Sequence, residues 1–119
     1  MWIEWADFSE TKELPEFLLK IHQISSCLAT VEFYLTTFSI SQFQQLMKNM
    51  QLVSSLEQLK FDRVTIIGTE SYDATVDLVA VVKECNKLNR IRFNTGSGNI
   101  RLNMNSIKSS TKRELDINK

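Results

Sequence analysis

LATVEFYL at residues 28–35 returns as LEQLKFDR at 56–63 and as LNRIRFNT at 88–95. Each time a Leu is followed three positions on by an aliphatic residue, and two positions later by a Phe: Leu28/Val31/Phe33, Leu56/Leu59/Phe61 and Leu88/Ile91/Phe93. Alternation with period two puts the aliphatic residue and the Phe on one face of an extended chain, so each phrase predicts a short strand with one buried face. Partial copies occur as Ile3 with Trp5 and as Leu115 with Ile117. The strands are therefore expected near 3–5, 31–33, 59–61, 91–93 and 115–117, with markers at 3, 31, 59, 91 and 115.

Between markers the apolar period becomes that of a helix. The rows are Leu14, Phe17, Leu18, Ile21, then Phe43, Leu46, Met47, Met50, then Val76, Val79, Ala80, Val82. Pro15 suits a first helical turn, and Ser41 with Gln44 has the spacing of a capping box. Asp73 or Ser71 is placed to cap the third helix. A strand and a helix repeated every 28 or so residues cannot bury their apolar faces alone, whereas copies stacked on one another can. The expected architecture is α/β, a short solenoid of about four strand–helix repeats within one domain, its parallel sheet in sequential strand order. Residues 94–114 hold two of the three glycines and many Asn and Ser, which predicts an irregular C-terminal cap or tail with at most a short strand near Ile100–Met104.

On those three triplets the chain resembles a leucine-rich repeat protein, of the longer-period kind found in ribonuclease-inhibitor-like arrays and in the repeat regions of F-box adaptors. It departs from that family in lacking the consensus Asn or Cys after the strand, in using aromatic residues for Leu, and in a third repeat four residues longer than the first two. LPEFLLKIHQI (14–24) also looks like the start of an F-box, but it already serves as the first repeat's helix. The resemblance implies a protein-binding scaffold, and an adaptor that presents substrates to a ubiquitin ligase. Trp2 and Trp5 lie on an opening strand with no preceding helix, which fits a piece of a longer array and also offers a route to self-association through uncapped ends.

In such an array the residues between the buried positions point away from the helices. Those chosen here as partner-binding are Glu32, Tyr34, Lys60, Asp62, Arg90 and Arg92, with Tyr34, Arg90 and Arg92 as candidate hot spots because Tyr and Arg are enriched there. A stripe of mixed charge suits a specific protein partner. Fourteen basic and fourteen acidic residues leave no net charge, so no nucleic-acid partner is expected. No apolar run approaches the roughly 20 residues that cross a bilayer, and no signal-peptide pattern opens the chain, so a cytoplasmic or nuclear protein without a membrane partner is expected.

Catalytic signals are weak. His22 has no nucleophile or orienting acid at a recognisable spacing, Glu13/Glu16 and Asp73/Asp77 are spaced like helical surface charges, and NTGSGN (94–99) lacks the Lys-Ser/Thr of a phosphate loop. Cys27 and Cys85 with one His do not make a zinc set and are expected to be small buried hydrophobes. No enzymatic activity, cofactor or metal is expected. An alternative comes from 61–93, which looks somewhat like a sulphate-transporter and anti-sigma-antagonist domain. That resemblance implies a compact reordered sheet with a switch turn near Ser71, where Gly68-Thr69-Glu70-Ser71 stands in place of the family's Asp-Ser pair.

Overall fold

The computed structural model describes residues 2–4, 13–24, 26–68, 72–95, 100–111 and 115–118. Strand β1 (Trp2–Glu4) is followed by α1 (Glu13–Gln23), β2 (Thr30–Tyr34), β3 (Thr37–Ser39), α2 (Ile40–Met50), β4 (Gln58–Ile67), β5 (Tyr72–Asp73), α3 (Thr75–Glu84), β6 (Arg90–Thr95), β7 (Ile100–Arg101), α4 (Met104–Ser109) and β8 (Asp116–Asn118). The main sheet runs β1-β2-β4-β6-β8, every pair parallel and its strands in chain order. That is sequential order, not the reordered sheet of the switch-domain alternative. β3 pairs with the distal half of β4, and β5 pairs with β7. Helices follow the same order, α1 on α2, α2 on α3 and α3 on α4.

The three central strands meet in the expected register: Val31 faces Leu59 and Leu59 faces Ile91, with Phe33, Phe61 and Phe93 aligned beside them. The ends differ by two residues. Ile3 registers with Phe33, not Val31, and Ile91 with Ile117, not Leu115. A slip of two keeps the same side chains inward, so alternation alone cannot choose between the registers. Trp5, assigned to the first strand, lies outside the described residues, as do Ser71 and 96–99.

Within the stretch expected to be irregular, the described residues 100–111 form a short strand, β7, and a helix, α4. Asn103 caps α4 by accepting from the Ser106 amide at 3.1 Å, and Ile107 is fully buried in the core. The second helix is capped two residues earlier than Ser41: Ser39 caps it, its Oγ accepting from the Gln42 amide while Gln42 Oε1 accepts from the Ser39 amide. FSISQFQ contains two Ser-x-x-Gln frames, and the earlier one is used. On α3 the buried residues are Thr75, Leu78, Val81 and Val82, whereas Val76 is 69% exposed. VDLVAVV is apolar on nearly every side, so several rows fit it equally well.

The core lies between the sheet and the helices. Phe33 and Phe61 stack with centroids 5.2 Å apart and planes 5° apart, and Phe61 meets Phe93 edge-on at 5.5 Å. Phe43 from α2 sits against Phe38, Phe61, Tyr72 and Phe93, and Phe17 from α1 against Phe33. The aromatic residues at the second inward position thus form a ladder through successive strands. Cys85 is buried as expected, its thiol donating to the Met50 and Val53 carbonyls one repeat back. Cys27 is exposed, against expectation, because it falls in the turn after α1, where its thiol donates to the Ile24 carbonyl at 3.4 Å.

The domain is a compact α/β unit with a radius of gyration of 13.2 Å, close to the roughly 13.5 Å that size scaling gives for a globular chain of this length.

Candidate functional site

The face of the main sheet turned away from the helices carries the residues between the buried positions. In β2 and the first half of β4 inward positions are buried and outward ones half-buried, while outward positions of β6 are exposed. Backbone register arranges this face in three rows. Thr30, Gln58, Arg90 and Asp116 form one; Trp2, Glu32, Lys60, Arg92 and Asn118 the next; Glu4, Tyr34, Asp62 and Asn94 the third. All six sequence-selected residues, Glu32, Tyr34, Lys60, Asp62, Arg90 and Arg92, therefore lie on one surface, in adjacent strands.

The end registers change who meets whom. Asp116 stands beside Arg90, not Arg92; its Oδ2 accepts from the Arg90 Nε at 3.0 Å and lies 2.9 Å from Nη2. Asp62 is held from the neighbouring strand by Asn94, whose Nδ2 donates to Oδ1 at 3.4 Å, and lies 3.9 Å from an Arg92 nitrogen. Lys60 and Arg92 are direct cross-strand neighbours, and so are Glu32 and Lys60. Among the described residues neither the Glu32 nor the Lys60 side chain forms a hydrogen bond or an ion pair. Charge on this face is thus interspersed, with an engaged pair at the β6–β8 edge and loosely held groups at the centre.

The far rim of the face is shaped by backbone. Leu35 and Arg63, one repeat apart, both take left-handed conformations, with φ of 53° and 54°. Arg63 is the extra residue where the β4–β6 register shifts, and the Leu35 amide donates to the Asp62 carbonyl at 3.0 Å. The bend turns the chain from the main sheet into the β3–β4 ladder.

Among the described residues no group of three or more His, Cys, Asp and Glu is placed to hold a metal, and no helix is long and apolar enough to cross a membrane. His22 is exposed on α1. Asp73 and Asp77 are not plain surface charges: Asp73 accepts from the Thr75 amide at 3.0 Å, and Asp77 accepts the hydroxyl of the buried Tyr72. Burial and that carboxylate push the Tyr72 hydroxyl well above the usual phenol range. Sequence reasoning missed this pair because the partners sit five residues apart across a strand-to-helix turn, where neither period two nor 3.6 relates them. Asp116 as the partner of Arg90 was missed because that choice depends on the register at β8.

Comparison with protein-family models, with curated proteins and with solved structures finds no match to this chain.

Proposed function

We propose that the chain is a short strand–helix solenoid, similar to leucine-rich repeat arrays, whose open sheet face binds a protein partner. The observation that carries this proposal is a parallel sheet in sequential order with one face against the helices and the other bearing mixed, half-exposed charge. Repetition of detail supports it. The carbonyls of Ala29, Glu57 and Asn89 accept from the amides of Gln58, Arg90 and Asp116, the same bond made once per repeat. Buried positions recur at one offset between the second and third repeats, as Gln42/Ala74, Phe43/Thr75, Leu46/Leu78, Met50/Val82 and Val53/Cys85. Thr36, just after β2, and Val64, just after the left-handed Arg63 within β4, are both buried and occupy equivalent places. A stack of five strands is too short to look elongated, so a compact particle and a solenoid are compatible here.

Within this proposal Glu32, Tyr34, Lys60, Asp62, Arg90 and Arg92 contact the partner. The family resemblance alone extends the proposal to substrate recognition for a ubiquitin ligase in the cytoplasm or nucleus, because a binding face does not encode what happens to its ligand. The test is capture from cell extract on the wild type, on Lys60→Glu/Arg92→Glu, and on Lys48→Glu as a control on the exposed side of α2. A protein retained by the wild type and the control but lost on the double variant, and rebound when purified, is the expected result. The same proteins captured by all three baits would refute binding through the sheet face.

A further inference from the structure

Lys60 and Arg92 sit side by side at the centre of the sheet face, on adjacent strands whose backbones are about 4.8 Å apart. Like charges directly across strands repel, a cost that a neighbouring acid offsets. Here the pairing is incomplete. Arg90 is paired with Asp116 along one edge, whereas the Lys60 side chain has no hydrogen bond or ion pair among the described residues, and Arg92 reaches Asp62 only at 3.9 Å. Asp62 is also engaged by Asn94 through its other oxygen.

We infer that Lys60 and Arg92 form a subsite for one carboxylate side chain, Asp or Glu, of the bound protein. The inference rests on the proposal that this face binds a protein. A single carboxylate offers two oxygens to two adjacent cations and replaces their repulsion with charge-assisted hydrogen bonds. Glu32 on the neighbouring strand and Asp62 at the rim hem the pair in, so a second negative charge on the ligand would face two acids. That selects a monoanion over a phosphate or a nucleic-acid backbone. Arg90 stays outside the subsite because its guanidinium is already paired along one edge.

The experiment is an amide chemical-shift titration of the full chain with acetyl-Ala-Glu-Ala-amide at millimolar concentration, against the Gln tripeptide and against inorganic phosphate. Saturable shifts centred on Lys60 and Arg92 with the Glu peptide alone are expected. Lys60→Gln and Arg92→Gln should each weaken them by roughly tenfold, the loss of one charge-assisted bond, with Lys48→Gln unchanged. The amide spectra of the variants themselves report that they remain folded. Equal shifts with the Gln peptide, tighter binding of phosphate, shifts centred on Arg90, or no saturable shift would each overturn the subsite. If the face variants lose their captured protein while the Glu peptide leaves Lys60 and Arg92 unmoved, the binding face stands and the carboxylate subsite falls.

Discussion

Truncating Phe61 to Ala removes the ring on which the stack is centred. Phe61 is fully buried on the middle strand and touches Phe33 at 5.2 Å, Phe43 at 5.4 Å and Phe93 at 5.5 Å, so three rings lose a partner at once. Buried Phe→Ala changes cost about 3–5 kcal/mol through lost transfer energy and a residual cavity. Neighbours belonging to two other strands and a helix cannot all relax inward together, which places this site at about 4–5 kcal/mol. An unfolding entropy near 2.1 cal/mol/K per residue makes each kcal/mol worth about 4 °C for a chain of this size, so the melting temperature should fall by roughly 16–20 °C. Thermal unfolding followed by far-ultraviolet circular dichroism measures it. Phe17→Ala, which removes a half-buried ring in contact with Phe33 at 5.7 Å, should cost visibly less. A Phe61→Ala midpoint within about 4 °C of wild type, under the 1 kcal/mol that a surface change can reach, would refute the stacked-repeat core.

Ser39→Ala should destabilise the chain by about 1 kcal/mol and Ser41→Ala by less than about 0.5 kcal/mol in urea unfolding, since only Ser39 takes part in the capping box. Arg63→Gly should stabilise by about 0.5–1 kcal/mol, because the left-handed backbone at Arg63 costs a non-glycine residue more than glycine's added freedom in the unfolded chain; a net loss of stability would mean that the Arg63 side chain itself contributes contacts. The folded Tyr72 hydroxyl ionises at a higher pH than the unfolded one, so its contribution is complete below about pH 10 and is lost as pH rises beyond that. Between pH 9 and 11 wild-type stability should therefore fall more steeply than that of Tyr72→Phe, and parallel curves would contradict the buried pair. In the native protein one thiol, Cys27, should react promptly with a disulfide reagent and Cys85 only after unfolding; two fast thiols would contradict the placement of Cys85.

The middle of the fold is legible in the sequence because Val31/Phe33, Leu59/Phe61 and Ile91/Phe93 repeat both a period and an interval, and the two together fix face and neighbour. At the ends only the period remains. Ile3 and Ile117 fall on inward-facing positions either way, but a slip of two leaves the hydrophobic pattern intact, so the neighbours of Glu4 and Asp116 could not be read from it. The fourth helix was hidden because NSIKSS offers a single core residue, Ile107, and too few turns to display a period. Its cap, Asn103 three residues before Ser106, was the available signal. The six face residues were legible as a set because they follow from strand alternation, while Arg90–Asp116, Asp62–Asn94 and Tyr72–Asp77 depend on pairings that only the assembled chain supplies.

Sequential stacking is tested most directly by nuclear Overhauser contacts between backbone protons of neighbouring strands in a uniformly labelled sample. The predicted pattern links Glu32 with Lys60, Lys60 with Arg92, and Ile91 with Ile117, every connection parallel and between consecutive repeats. Contacts that place β2 directly beside β6, or β4 beside β8, would describe a reordered sheet, and neither the repeat array nor its open binding face would survive that result.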